Sequence, residues 1–335
     1  VEYVTRRVAD CADLNAVQSF DAGQLKQAMN ASLAAHPDGP LAGLPIIAKD
    51  NINTVSFPTT GGTGALLGKT PGKDAQVVSQ ILDAGGVIGA KAGMHELAFG
   101  ITSNNAVTGP IKNPHNKNLI PGGSSGGTAA AVAAGIFPLG LGTDTGGSCR
   151  IPASLCGTVG FRPSTGRYSG EGVIPISRTL DTIGTFSRTA NDIALLDYAL
   201  TGDMSAPKDG MSGVRIGVPA KRFFENLEPA VEAAVTKELS RLEAAGASLI
   251  DISLESIWAH AEAFSIPVAL FEVVRELPKY LASHAPGVSF DMLVAKIGSP
   301  DVKGFIESQL GGDAIPEEMY TEAMTVHRPA MLKIY

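Results

Sequence analysis

Hydrophobic positions along the chain recur at helical spacing in some segments and as short continuous runs in others. Together they set out a series of helices and strands. Over residues 21–35 apolar side chains fall at Leu25, Ala28, Met29 and Leu33, the spacing of an amphipathic helix. The run Leu44-Pro45-Ile46-Ile47-Ala48 leads into Lys49-Asp50-Asn51 and predicts a buried strand that delivers Lys49 at its end. Residues 74–84 predict a helix N-capped by Asp74 and stopped by Gly85-Gly86, with a strand over 87–91 after it. Further along, 128–134 predicts an alanine-rich helix, 136–142 a second buried strand, 151–155 a short helix and 158–161 another strand. Composition shifts to Gly, Asp, Ser, Pro and Lys over 201–212, which marks a surface linker or a boundary between subregions. A strand over 214–218, a helix over 228–245 and a strand over 248–252 follow, and 256–335 is mostly helical without a recognisable motif. Strand–helix–strand alternation of this kind predicts an α/β fold.

Composition narrows the function classes. At 335 residues, with 18% charged and 44% hydrophobic positions, the chain has the make-up of a compact globular protein with a sizeable core. A net charge of −7 and the lack of Lys/Arg runs argue against a nucleic-acid-binding surface. Three cysteines without C-x-x-C spacing suggest neither a disulfide framework nor a zinc site, and fit the reducing cytoplasm. No apolar run approaches the ~20 residues of a membrane span, since 129–141 is shorter and broken by Gly135, Pro138 and Gly140. The start, Val1-Glu2-Tyr3-Val4, has neither the pattern of a secretory signal nor an initiator Met, as expected of a chain beginning partway into a longer product.

The candidate chemistry lies in two glycine-rich loops. The first reads Pro121-Gly122-Gly123-Ser124-Ser125-Gly126-Gly127, the second Gly142-Thr143-Asp144-Thr145-Gly146-Gly147-Ser148. A serine whose neighbouring N–H groups must close on a reacting oxygen needs glycines beside it, because side chains would block the approach. Ser148 is therefore the leading candidate nucleophile, with the N–H groups of Thr145, Gly146, Gly147 and Ser148 as candidate oxyanion donors. A plain Gly-Ser turn is the alternative. Ser124 also matches G-x-S-x-G, which opens a rival triad with His260, His284 or His327. Lys49 at the end of an apolar strand is either a desolvated base or an ammonium paired with the neighbouring Asp50.

Other patterns fail. His95-Glu96-Leu97-Ala98-Phe99 starts like a zinc-protease motif but has Phe99 where the second histidine belongs. Neither glycine loop ends in the Gly-Lys-Ser/Thr of a P-loop. Cys149, adjacent to Ser148 and without an evident base, reads as a packing residue.

Lys49 and the two loops together resemble the amidase signature family. Ser124 and Ser148 stand 24 residues apart and Lys49 precedes Ser124 by 75, in agreement with that family. The likeness is strongest over 41–201, the signature core, and 202–335 would contribute to the substrate pocket of a single domain covering 1–335. It implies an α/β/α sandwich around a central mixed sheet. It also implies Ser148 as acyl-enzyme nucleophile, Ser124 as a bridging serine after a cis peptide from Gly123, and Lys49 as the base. Ala98 and Gly100 would receive the leaving nitrogen on their carbonyls. Ser125 and Thr143 would hydrogen-bond around the lysine. Arg150, two residues past Ser148, reads as a clamp for the loop on Asp144, with a substrate ligand as the alternative. No metal or organic cofactor is implied. The segments 94–105 and 160–168 look especially like the branch containing indoleacetamide hydrolase and mandelamide hydrolase, which points to a small arylacetamide. The expected partner is that small amide, with no nucleic acid and no membrane, and a homodimer is left open. A glutamine-hydrolysing amidotransferase subunit and a truncated binding relative are the alternatives. Family members run longer at both ends, so an incomplete chain is expected, with a sheet edge and one wall of the pocket uncovered.

Overall fold

The computed structural model describes residues 1–203 and 210–334. The chain divides into two compact units, the first comprising Val1–Asp203 and Val268–Glu317, the second Met204–Pro267 and Glu318–Tyr335. Residues 204–209 of the expected linker lie outside the described residues.

The first unit is built on a mixed six-stranded sheet. In chain order its strands are β1 (Val17–Phe20), β2 (Pro45–Lys49), β3 (Val87–Ala92), β4 (Leu139–Asp144), β5 (Val159–Phe161) and β6 (Thr182–Ser187). Across the sheet the order is β1-β3-β2-β4-β6-β5, with β2 parallel to both neighbours and the remaining pairs antiparallel. Helices pack on both faces because successive strand residues point to opposite sides. Ile47, Ala90 and Ala92 face α2 (Ala22–Ala35) and α4 (Gly126–Ala133) through Leu25 and Ala129–Val132. Ile46, Ala48 and Ile88 face α3 (Gln76–Asp83) and α6 (Ala190–Thr201) through Val77, Ile81, Leu196 and Leu200. The expected α/β/α sandwich is thus formed.

Local expectations fare unevenly. Asp21 caps α2 as its side chain accepts from Gln24 N at 2.6 Å. Asp74 does not cap α3. Its carboxylate accepts from Val55 N instead, and the helix begins one residue later, after Ala75. The strand expected over 136–142 runs over Leu139–Asp144, because Gly135 turns the chain at φ 67° and Pro138 has no N–H for the ladder. This later register carries Thr143 and Asp144 on the strand end. Strands β1 and β6 lack the continuous apolar run that marks β2.

Among the described residues one helix, Glu255–His284, is long and apolar enough to cross a membrane by length and composition. In the first unit its Val273, Leu277 and Leu281 belong to a hydrophobic cluster with Leu293, Val302 and Ile306. Its Glu272 is buried and accepts from Ser177 Oγ and Thr179 N. The second unit holds a parallel pair, β7 (Arg215–Pro219) with β8 (Ser248–Ile252), joined through the helix Pro229–Ala244.

Candidate active site

Three segments of the first unit converge at the C-terminal ends of β2 and β4. Strand β2 ends in Lys49, which is fully buried. Its Nζ lies 2.7 Å from Ser124 Oγ and 2.7 Å from Thr143 Oγ1. Asn51 Nδ2 adds a third contact, donating to Thr143 Oγ1 at 3.1 Å. Burial lowers the Lys49 amine to about 8, against the opposing pull of the Asp144 and Asp181 carboxylates. No carboxylate forms an ion pair with it among the described residues. Asp50 is engaged elsewhere, with Lys91 Nζ 3.8 Å from its Oδ1. Lys91 is itself buried and donates to Thr59 Oγ1 at 2.8 Å.

Ser124 sits in the turn that opens α4, and its peptide bond from Gly123 is cis. The glycines here are required by close packing. A Cβ on Gly126 would fall 2.3 Å from Ser103 Oγ, and one on Gly122, already at φ 80°, 2.8 Å from the Pro152 backbone. Ser103 Oγ donates to the Gly122 carbonyl and accepts from Gly126 N, which fixes the loop. Ser125 does not reach the lysine. Its hydroxyl donates to the Thr143 carbonyl at 3.1 Å, and its N–H donates to the Ser148 carbonyl at 3.2 Å, tying the two glycine loops together.

The second loop is organised by Asp144. Its carboxylate accepts from Gly147 N at 2.8 Å, Cys149 N at 3.0 Å, Arg150 Nη2 at 2.9 Å and Arg162 Nε at 3.2 Å. Burial works to raise this carboxyl, but Arg150 and the Cys149 and Gly147 N–H groups outweigh it and hold it below the ordinary value. The bond from Gly147 removes that N–H from the expected oxyanion donors. The N–H groups of Gly146 and Ser148 have no protein acceptor among the described residues, nor has the Ser148 hydroxyl a partner. Thr145 turns its hydroxyl to Asp181 at 2.6 Å, and Asp181 also accepts from Ile176 N and Ser177 N. Burial pushes the Asp181 carboxyl up to about 6. Cys149 is fully buried and its thiol is pushed up to about 12, chiefly by burial, which suits a packing residue.

A cleft of about 950 Å³ reaches this cluster, with Asn51, Ala98, Thr143, Thr145 and Asp181 in its wall and Tyr168, Tyr280 and His284 further along. Ala98 has φ 63° and Gly100 packs under the His95 ring, where a Cβ would lie 2.2 Å from Cε1. Neither carbonyl accepts a hydrogen bond among the described residues. The rival triad through Ser124 is not formed. Lys49 engages its hydroxyl, His260 Nδ1 and His327 Nδ1 bond to each other at 2.9 Å, and His284 stacks against Tyr280.

Lys91, His95 and Asp181 escaped sequence reasoning. A lone lysine inside the apolar run 87–92 was the one available signal for Lys91. The partners of the other two, at positions 301 and 145, are separated from them by too much chain to suggest a pairing.

The Amidase family profile matches residues 1–323. An indoleacetamide hydrolase of Allorhizobium ampelinum is 41% identical over 295 residues, covering 88% of this chain and 64% of the relative. A mandelamide hydrolase of Pseudomonas putida is 39% identical, covering all of this chain and 69% of the relative. A crystal structure described as an amidase superposes with a TM-score of 0.85 at 34% identity, covering 99% of this chain and 73% of that one. The chain thus spans about two thirds of the length of these relatives.

Proposed function

The chain belongs to the amidase family, and on that premise we propose that it hydrolyses a carboxylic amide to acid and ammonia through an acyl-enzyme on Ser148. The observation that carries this reading is the buried Lys49 amine 2.7 Å from Ser124 Oγ, with its proton affinity lowered by burial to about 8. A serine hydroxyl is a weak nucleophile and needs a base, and a lysine serves as one only when neutral. With an ionisation near 8, about a tenth of Lys49 is uncharged at neutral pH.

Ser148 Oγ attacks the amide carbon while its proton passes to Ser124 and the Ser124 proton passes to Lys49. The N–H groups of Gly146 and Ser148, left without protein acceptors, stabilise the resulting oxyanion. The same relay run backwards protonates the nitrogen, the C–N bond breaks and ammonia leaves. Water, deprotonated through the same route, releases the acid from Ser148. Ala98 and Gly100 offer unpaired carbonyls to the N–H groups of the leaving amide.

The substrate we propose is a small arylacetamide-type primary amide. The names of the two relatives support it, as do Tyr168, Tyr280 and His284 in the cleft wall. The cleft wall combines residues of the signature core with Lys279, Tyr280, Ser283 and His284 from the later part of the chain. Three free cysteines, two of them buried, support a reducing compartment such as the cytoplasm. Ammonia release from acetamide, phenylacetamide, mandelamide, indole-3-acetamide and glutamine tests the reading. The arylacetamides should be turned over best, and a preference for glutamine would favour an amidotransferase instead.

A further inference from the structure

The turn that carries Ala98 is held in a conformation it would not adopt alone. Leu97 and Ala98 occupy the left-handed region in succession, at φ 49° and 63°, although neither is glycine. Such backbone is strained for a residue that carries a Cβ and persists only where surrounding structure overrides it. The override is visible. Glu96 is fully buried, and its carboxylate accepts from Ser299 N at 2.7 Å and from Gly298 N at 3.1 and 3.2 Å. His95, equally buried, sets Nε2 3.0 Å from Asp301 Oδ2, and its backbone N–H donates to the Ser124 carbonyl. The Leu97 N–H donates to the Gly61 carbonyl at 2.8 Å. Two side chains next to the turn therefore pin it to the start of the helix Pro300–Ser308, while backbone bonds tie His95 to the first glycine loop and Leu97 to Gly61.

We infer that Glu96 is a positioning residue for the leaving group. By fixing the Leu97–Ala98 turn it aims the Ala98 carbonyl at the nitrogen of the scissile amide, and Asp301 assists through His95. This rests on the function proposed above. An ester has no N–H to offer that carbonyl, so loosening the turn should slow amides and spare esters of the same acid. A general structural weakening would slow both alike.

The test compares kcat/KM for phenylacetamide and methyl phenylacetate, since that constant reports the acylation half for both. It uses the wild-type chain, Glu96→Gln and Asp301→Ala. In Glu96→Gln an amide NH₂ group replaces one of the oxygens facing the two backbone N–H donors. The amide constant should fall about tenfold or more and the ester constant less than about twofold. Asp301 is half exposed, so Asp301→Ala keeps the Glu96 anchor and folds. It should shift the amide-to-ester ratio in the same direction by about threefold. Proportional loss on both substrates, or an unchanged ratio in both variants, overturns the inference. Absence of ammonia release from the wild type would instead remove the hydrolytic reading, and this inference with it.

Discussion

Lys91 Nζ stands 3.8 Å from Asp50 Oδ1 with both side chains buried, and this pairing takes up the carboxylate that sequence adjacency would give to Lys49. Burial raises the Asp50 carboxyl and lowers the Lys91 amine to about 8, so each depends on the other to remain charged. Removing one member strands the other. Asp50→Ala is expected to cost about 3–5 kcal/mol, read from urea denaturation midpoints. The double variant Asp50→Ala/Lys91→Met should be less destabilised than Asp50→Ala alone. Equal loss in the two would show that the pair is not coupled.

Hydrolysis should depend on pH through Lys49. Burial holds its amine near 8 instead of 10.5, so the uncharged form grows as pH rises through that value and saturates above it. The profile of kcat/KM is expected to climb from pH 6.5 and level off by pH 9. A flat or falling profile over that interval would contradict the assignment.

The three proposed catalytic groups should differ in the depth of their loss. Ser148→Ala removes the nucleophile and is expected to leave only background turnover. Lys49→Ala should lower kcat by about 10³-fold, and Ser124→Ala by about 10²-fold, in line with the usual worth of general acid–base catalysis. Labelling by a fluorophosphonate provides the second measurement. It should be lost in Ser148→Ala and slowed in the other two.

Asp144 and Arg150 should prove unequal although they touch. Asp144→Ala strips the acceptor from three backbone N–H groups and two guanidinium groups in a buried setting, and is expected to cost about 3 kcal/mol. Arg150 is 56% exposed, so Arg150→Ala should cost under about 1 kcal/mol. Thermal or chemical denaturation of the two variants decides the order.

What the chain discloses before folding follows the range of its interactions. Lys49 at a strand end, two serines among glycines and the flanking helices are local signals, and the structure brings Lys49, Ser124 and Thr143 together. Strand β6, Thr-Ile-Gly-Thr-Phe-Ser, is half polar and yet wholly buried, because it is sandwiched between β4 and β5. Its sequence lacks the apolar run that marks β2. Asp74 shows the opposite failure. A residue well suited to capping is drawn to Val55 N instead, 19 positions away. The His95–Asp301 contact bridges 206 residues and leaves no trace in any window of sequence.

Residues Ala48 and Lys91 are partners across β2 and β3, as are Lys49 and Ala92, so the two buried amines project from opposite sides of the sheet. Parity along the ladder therefore decides which amine meets a carboxylate and which meets only hydroxyls. Deleting a single residue within β2 would turn Lys49 to the side that Lys91 occupies and leave the serine relay facing a strand position that carries no amine.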